Sequence, residues 1–252
     1  MIDTLLILGV IALGTYFQTL TGFGLGIIVI GLVSGFNLAS VAFIASVISL
    51  CSIVNGYAAL HGHWRQLNRT VAGWTLAGII PSTIAGTVLL NYLSHEANHV
   101  LKLLLGLLII YSGISAMRKP VQQDSLSRRS TFFHYGFFSG ICGGLFGMPG
   151  PPIILLFYRQ PLAHAHIRSL LLLMFTGTAL LRTLYELATQ TLSEDAVYLA
   201  LLALPLVTLL TLVSKRLPPP LSPQGIRKLS FFSLLLIGVG LSAESLWRML
   251  AH

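Results

Sequence analysis

Residues 136–158 read GFFSGICGGLFGMPGPPIILLFY, an apolar stretch that glycine and proline interrupt near its centre. An earlier stretch, residues 17–30, reads FQTLTGFGLGIIVI and has the same character. Glycine lets the backbone turn, and proline fits the first turn of a helix because its missing N–H is not needed there. Each stretch therefore predicts a helix that ends, a tight turn, and a short new helix.

The composition of the whole chain is typical of a helical membrane protein. Of the 252 residues, 55% are hydrophobic and 9% are charged, against about 25% charged in an ordinary soluble domain. This composition excludes a soluble globular enzyme, a disordered chain and a disulfide-rich secreted protein. A transmembrane barrel would alternate over segments of about ten residues, and the sequence lacks that period. We therefore expect an all-α polytopic membrane protein.

Polar residues divide the chain into eight hydrophobic segments. Two of them, 4–35 and 131–158, carry the glycine-rich interruptions. Each interrupted segment is followed by three spans of about 20 residues, the length that crosses a bilayer. The six spans are 39–60, 71–92, 100–117, 168–190, 196–213 and 229–249.

The same order of segments occurs twice, which predicts an internal repeat. The first membrane repeat is 1–117, a basic linker follows at 118–130, and the second membrane repeat is 131–252. One gapless offset of 124 positions also aligns matching residues of the two halves. The aligned pairs are Gly26 with Gly150, Leu38-Ala39 with Leu162-Ala163, and Pro81 with Pro205.

The basic residues predict the orientation, since loops rich in Lys and Arg stay in the cytoplasm. With the linker 118–130 cytoplasmic, both ends of segment 131–158 lie on the cytoplasmic side, so this segment enters and returns as a hairpin of two half-helices. Segment 4–35 then dips in from the opposite face, both chain termini are outside, and the halves form an inverted repeat. These loops hold 12 of the 15 Lys and Arg residues: Arg65, Arg69, Arg118, Lys119, Arg128, Arg129, Arg159, Arg168, Lys215, Arg216, Arg227 and Lys228.

A competing topology treats both interrupted segments as full spans, which gives eight crossings. It places Arg159, Arg168 and the basic loop 215–228 outside, against the usual charge bias. The N-terminus starts MID and has no basic region, so we expect it to be the first membrane segment and not a cleaved signal. Both topologies describe a multi-pass protein of the cell (inner) membrane.

The interrupted segments are the predicted substrate site. A helix start presents free N–H groups and the positive end of the helix dipole, which together favour an anion. Two hairpins from opposite faces would aim two helix starts at one another near the midplane. One helix start follows Gly24, and the other lies at Gly150-Pro151. Gln18 and Thr21 lie just before the first turn and are further candidates. The alternative is that the glycines only let helices pack closely.

Other polar residues inside the spans have competing interpretations. Arg182 could attract an anion, pair with Glu186 one turn on, or snorkel to the outer interface. Asn55 and Thr176 lie in the spans that follow the hairpins, where they either line the pathway or hydrogen-bond between helices.

Catalytic and metal-binding patterns are missing from the sequence. It contains no HExxH motif and no Ser/His/Asp arrangement or carboxylate pair placed for acid–base work. We therefore expect no enzyme, no metal and no cofactor. Glu186 and Glu244 lie near span ends, so a proton-carrying carboxylate is not evident, and proton-linked transport and uniport both stay open.

Two motifs resemble the paired signatures of the TauE/SafE sulfite exporter family. They are FQTLTGFGLG at Phe17–Gly26 and GFFSGICGGLFGMPGPP at Gly136–Pro152, and the resemblance in layout covers nearly the whole chain. The first motif has Phe23 and Leu25 between its glycines and lacks the glycine run and following proline often seen in the family. The resemblance implies transport of sulfite, organosulfonates or related sulfur anions. The substrate-facing residues that it implies are 21–26 in the first hairpin and 147–152 in the second, among them Thr21, Gly22, Phe23, Gly24, Gly26, Gly147, Met148, Pro149, Gly150 and Pro151.

The expected function is therefore secondary transport of a small anion, by alternating access around the two hairpin turns. A channel-like anion pore would share the same half-helix site and differ in turnover. A membrane enzyme or assembly scaffold is the other alternative. The expected partners are the small anion and the lipid bilayer, a homodimer is one candidate assembly, and nucleic acid is not expected to bind.

Overall fold

The computed structural model describes residues 2–21, 23–61, 67–117, 121–216 and 235–243. These ranges are helical apart from short connections and contain no strand. The glycine and proline interruptions end and restart helices where the sequence predicts. The helices are α1 (Ile2–Thr21), α2 (Leu25–Gly35), α3 (Val41–Leu60), α4 (Arg69–Glu96), α5 (Asn98–Met117), α6 (Arg129–Phe146), α7 (Gly150–Tyr158), α8 (His164–Ala188), α9 (Glu194–Arg216) and α10 (235–243).

Six of the described helices are long and apolar enough to cross a membrane: α1, α3, α4, α5, α8 and α9. This confirms the all-α polytopic class. Five of the six predicted spans are among them, and of the sixth, 229–249, the structure describes only 235–243. The sixth long helix is α1, which the sequence interpretation had assigned to a half-helix.

Each interruption folds the chain back on itself. In the first hairpin, a methyl group at Gly14 of α1 would lie 3.1 Å from the Leu25 Cα of α2. In the second, a methyl at Gly150 would lie 3.4 Å from the Cys142 Cβ, and the Ile153 N–H donates to the Ser139 hydroxyl. Both pairs of helices therefore lie side by side, as hairpins do.

The expectation of two half-helices in each hairpin is wrong in detail. The first arms, α1 and α6, have 20 and 18 residues, whereas the returning arms, α2 and α7, have 11 and 9. At about 1.5 Å per residue, α1 is about 30 Å long, which is the thickness of a bilayer core. Only the returning arms are of half length.

Helices of the first half of the chain pack against helices of the second half. The most extensive contact is between α4 and α6, where backbones meet through glycines: Gly78 packs on Phe133 and Gly86 packs on Ile141. Residue numbers rise together along this contact, so α4 and α6 are parallel. By contrast, α3 and α8 are antiparallel, because Ser46 contacts Glu186 while Gly56 packs on Thr176.

Two sets of hydrogen bonds mark the two ends of the helix bundle. Beyond α2, Asn37 accepts a hydrogen bond from Lys102 near the start of α5, at 2.6 Å. Beyond α7, the Gln160 carboxamide accepts from the Ser127 N–H, next to the start of α6, at 2.9 Å. The open end of the second hairpin is thus held beside the linker.

The helix starts reproduce the predicted repeat. Adding 124 to the first residues of α2, α3 and α4 gives 149, 165 and 193, and α7, α8 and α9 start at 150, 164 and 194. The order hairpin, three helices, hairpin and helices is therefore present in the described ranges. The inverted orientation of the halves and the domain boundaries at 117 and 131 stay predictions.

Candidate functional site

The first turn joins α1 to α2 in the buried interior. Gly24 has φ of 125°, a conformation open mainly to glycine, and lies directly before α2. The N–H groups of Leu25, Gly26 and Ile27 have no acceptor within the described part of the chain. Leu25 and Ile27 are at most 2% exposed. A buried helix start without partners is rare in proteins and offers donors to a bound ligand.

The second turn also depends on left-handed glycines. Gly147 has φ of 68° and ends α6, and Gly150 has φ of 65° and begins α7. Pro151 and Pro152 follow and have no N–H, and the Ile153 N–H is already bonded to the Ser139 hydroxyl at 3.0 Å. The start of α7 therefore supplies the helix dipole but few free donors, so the two turns are unequal as anion sites.

Ser139 makes a testable contribution to this turn. Replacing Ser139 with alanine removes the acceptor of a buried N–H, and we expect the free energy of unfolding to fall by about 1–3 kcal/mol. Thermal or denaturant unfolding in detergent measures this change. The matched control is Ser49→Ala, since the Ser49 hydroxyl only donates to the Ala45 carbonyl in its own helix. Equal, small losses in the two variants would show that Ser139 does not hold α7.

The two turns meet each other. A methyl group at Gly26 would lie 2.7 Å from the Cβ of Met148, and the Met148 side chain is fully buried. Gly147 lies against α3, where a methyl group would come within 2.7 Å of the Ala45 carbonyl oxygen. The helix starts of the two hairpins are therefore brought to one place although 122 positions separate Gly26 from Met148.

A neutral polar cluster lies next to the first turn. Asn55 of α3 donates to the hydroxyls of Thr19 and Thr211, at 2.9 and 2.7 Å, and accepts from the Gln18 amide at 3.1 Å. Both threonine hydroxyls donate to carbonyls in their own helices, so they can only accept from Asn55. This fixes the orientation of both amides. The Gln18 Oε1 atom is buried and has no partner within the described part.

A charged cluster lies next to the second turn. Arg182 donates from Nε and Nη2 to Glu186 Oε1, at 2.9 and 2.8 Å, and from Nη1 to the Gly144 carbonyl at 3.0 Å. The Ser46 hydroxyl of α3 donates to the same glutamate oxygen at 3.0 Å and also lies 3.2 Å from the Ala42 carbonyl oxygen of its own helix. Arg182 is 1% exposed and Glu186 is 4% exposed. Of the three interpretations of Arg182, the pair with Glu186 is confirmed, and snorkelling to the interface is wrong.

The structure thus brings most of the predicted residues to the two turns and to the neutral and charged clusters beside them. Thr176 is an exception, since its hydroxyl donates to the Leu172 carbonyl and Gly56 packs on its side chain. Phe23 is partly buried against the core, and the Thr21 side chain and Gly22 lie outside the described part. At the turns lie Gly24, Gly26, Gly147, Met148, Pro149, Gly150 and Pro151; in the neutral cluster lie Gln18 and Asn55; in the charged cluster lies Arg182.

The sequence interpretation missed several polar residues of these clusters. The sequence predicts that Glu186 lies near a span end, yet Glu186 is buried against α3, where the Ser46 hydroxyl donates to its carboxylate. Thr211 had a signal that went unused, since the offset of 124 places it on Thr87, another buried threonine. Ser46 and Ser139 carried no signal, because a serine in an apolar helix is equally typical of simple packing.

Comparison with known proteins supplies independent information. A family model described as "Sulfite exporter TauE/SafE" matches residues 6–241. A curated protein from Cupriavidus necator, named "Probable sulfite/organosulfonate exporter TauE", is 43% identical over 236 residues, which cover 93% of this chain and 92% of that protein. No solved structure matches the chain significantly.

Proposed function

Because the chain belongs to the sulfite exporter TauE/SafE family, we propose that it is a secondary transporter of a small sulfur anion, with sulfite or an organosulfonate as the favoured substrate. The protein is a multi-pass membrane protein, and we infer that it resides in the inner cell membrane. The name of the Cupriavidus necator relative supports the substrate class. The observation that carries the mechanism is the buried contact between the two hairpin turns, at Gly26 and Met148.

We infer that the two halves form an inverted repeat around this contact. Three observations support this arrangement. The repeat-related helices α3 and α8 are antiparallel, as an axis in the membrane plane requires. Arg69 and Arg129, at the starts of the parallel helices α4 and α6, line one groove, which fits a single cytoplasmic face. The first hairpin ends at Asn37, beside Lys102 of α5, whereas the second ends at Gln160, beside Ser127 of the linker.

The anion is proposed to bind at the start of α2. Three buried N–H groups that have no partner among the described residues lie there, at Leu25, Gly26 and Ile27, and the dipoles of α2 and α7 both favour negative charge at the turns. Met148, Pro149, Gly150 and Pro151 would form the opposing wall. The Gln18 amide is held by Asn55, so it would meet the anion with a fixed orientation.

Alternating access is the proposed mode of transport. In this conformation both turns are buried and touch each other, so the contact itself is suited to close a pathway. A channel with the same site would conduct anions at a far higher turnover and would show single-channel current. The family model is described as a sulfite exporter, and we infer transport and not catalysis. A homodimer and termini outside the cell stay predictions.

Ligand-induced stabilisation of the purified protein tests the proposal. A ligand that binds only the folded state raises the melting temperature. We expect sulfite or a sulfonate such as isethionate to stabilise the protein at millimolar concentration, whereas sodium gluconate at equal ionic strength should not. The other anions to compare are sulfate, thiosulfate, taurine, sulfoacetate, phosphate and chloride.

A variant of the second turn tests whether the ligand-induced shift depends on the turns. Gly150→Leu requires a side chain at φ of 65°, which is strained, and should remove the ligand-induced shift while circular dichroism retains the helical signal. Gly73→Leu on α4 is the matched control because nothing lies within 4 Å of that position. If no anion changes the melting curve of the wild-type protein, the anion site at the turns is wrong.

A further inference from the structure

We propose that Glu186 takes up one proton when the anion binds, so that the transporter moves the anion and a proton together. This inference rests on the proposed function and adds a second binding site to it, for a proton, next to the second turn. It gives the Arg182–Glu186 pair a role in transport that the family assignment does not supply.

The geometry of the pair leaves one carboxylate oxygen open. Arg182 donates twice to Glu186 Oε1, at 2.8 and 2.9 Å, and Ser46 donates to the same atom at 3.0 Å. Glu186 Oε2 is buried and has no hydrogen-bond partner within the described part of the chain. A carboxylate normally accepts hydrogen bonds at both oxygens. Oε2 is therefore the atom that can receive a proton while Oε1 keeps its partners.

Among the residues that the structure describes, Arg182 is the one charged group that balances Glu186. On its own helix, Arg182 is the one charged contact, and α3 contributes the neutral Ser46 hydroxyl. From α6, the Gly144 carbonyl meets only Arg182. Within the described residues, no titratable side chain of α3, α4, α6 or α7 forms an ion pair or hydrogen bond with Glu186. Protonation of Glu186 would thus leave the arginine charge without a counter-ion.

A buried ion pair is weak evidence of a stabilising role. Removing two charges from water costs several kcal/mol per ion, and well-packed apolar residues are often as stable in the same place. Ionisable residues inside membrane segments are accordingly rare and mark ion or substrate pathways. The contacts of Glu186 and Arg182 join α8 to α3 and to α6, which a purely local pair on one helix would not do.

The pair is connected to the second turn from both sides. Gly144, which accepts from Arg182, lies three residues before Gly147 on the same helix. Ser46, which donates to Glu186, follows Ala45, whose carbonyl lies against Gly147. A change in the partner of Arg182 therefore affects both α6 and α3, the two helices that contact this turn.

The exchange of partners is balanced in charge. In the empty state, the Arg182 cation and the Glu186 anion neutralise each other. When a monovalent sulfonate binds at the start of α2, which contacts the second turn at Met148, its charge replaces that of Glu186 in neutralising Arg182, which is joined to the second turn through Gly144. A proton from the surrounding water then binds Glu186 Oε2 to give a neutral carboxylic acid. One negative charge and one proton have been added, so the site stays neutral. The reverse step on the other side of the membrane releases both.

The pH dependence of anion binding follows from this linkage. Binding that takes up one proton weakens by up to about tenfold for each unit by which the pH rises. Isethionate is the suitable probe because its sulfonate stays ionised across the whole range, so any change with pH belongs to the protein. We expect the apparent Kd for isethionate, and for sulfite after correction for its own ionisation, to rise with pH.

Glu186→Gln separates proton uptake from anion binding. The amide keeps the shape of the carboxylate but cannot take up the proton, so the Kd of this variant should be independent of pH. Glu194→Gln is the matched control, since Glu194 is exposed at the start of α9 and this variant should retain the wild-type slope. An equal slope in wild type and Glu186→Gln would overturn the proposal.

Vesicle transport gives a second readout that needs no variant. Wild-type protein is placed in liposomes that contain a pH-sensitive dye, and a gradient of isethionate or sulfite drives the anion inward. We expect the lumen to acidify by one proton for each monovalent anion. A potassium–valinomycin potential should not change the rate of uptake. Anion uptake without acidification, or uptake that the potential accelerates, would refute proton coupling while the transport function stands. Failure of both anions to bind or move refutes the transport function itself.

Discussion

Gly26→Ala should slow transport of the sulfur anion at least tenfold while the protein stays folded. The added methyl group would lie 2.7 Å from the Met148 Cβ, which is closer than two carbon atoms can pack, so the turns must move apart. Overpacking of this kind costs about 1–3 kcal/mol, and here the displaced group is the proposed anion site at the start of α2. Efflux of radiolabelled sulfite from proteoliposomes measures the rate, and circular dichroism checks the fold.

Two further variants distinguish the turn contact from a general effect of the substitution. Gly73→Ala on α4 has nothing within 4 Å and should transport at the wild-type rate, with a slight gain in stability from the better helix former. Combining Gly26→Ala with Met148→Gly removes the opposing Cβ and should restore part of the rate. Wild-type transport by Gly26→Ala alone would show that the two turns do not gate the pathway.

The sequence predicts the local features of this fold well because they have local causes. Gly150-Pro151-Pro152 can begin a helix and cannot continue one, and α7 begins at Gly150. The offset of 124 reads directly from the chain, and the starts of α7, α8 and α9 reproduce it to within one residue. Hydropathy alone is enough to find five of the six long helices in the described ranges, and the exception is α1, which the sequence interpretation divides into a half-helix.

The partners of the helices are not predictable in this way, since most faces in a membrane protein are apolar. The contact between α3 and α8 depends on Gly56 fitting against Thr176, and glycine and threonine are common in every segment of this chain. The burial of Glu186 follows from that contact and not from its position in α8. Its distance from the helix end therefore gave a misleading estimate of its surroundings.

Arg182→Met should destabilise the protein by about 3–5 kcal/mol, the largest loss expected of any single substitution in the charged cluster. The change leaves Glu186 buried without its counter-ion, so this carboxylate must either stay charged or take up a proton, and breaking a buried pair in this way is much more costly than removing both charges. The Ser46 hydroxyl remains as the one side-chain donor to Glu186 Oε1 and cannot neutralise a full charge. Unfolding in mixed detergent micelles measures the loss.

The double variant Arg182→Met with Glu186→Gln separates stability from function. It removes both charges, so we expect it to regain most of the lost stability and to melt near the wild-type temperature. Transport should nevertheless stay at background, because the substrate anion would have lost its cationic partner in the proposed exchange. If the double variant were as stable as wild type and also transported the anion, the pair would serve only to hold α8 against α3 and α6. A coupled pair of charges shows a non-additive interaction free energy in such a double-mutant cycle. If the double variant were no more stable than Arg182→Met, the coupling between the two charges would be smaller than their burial and their 2.8 Å separation imply.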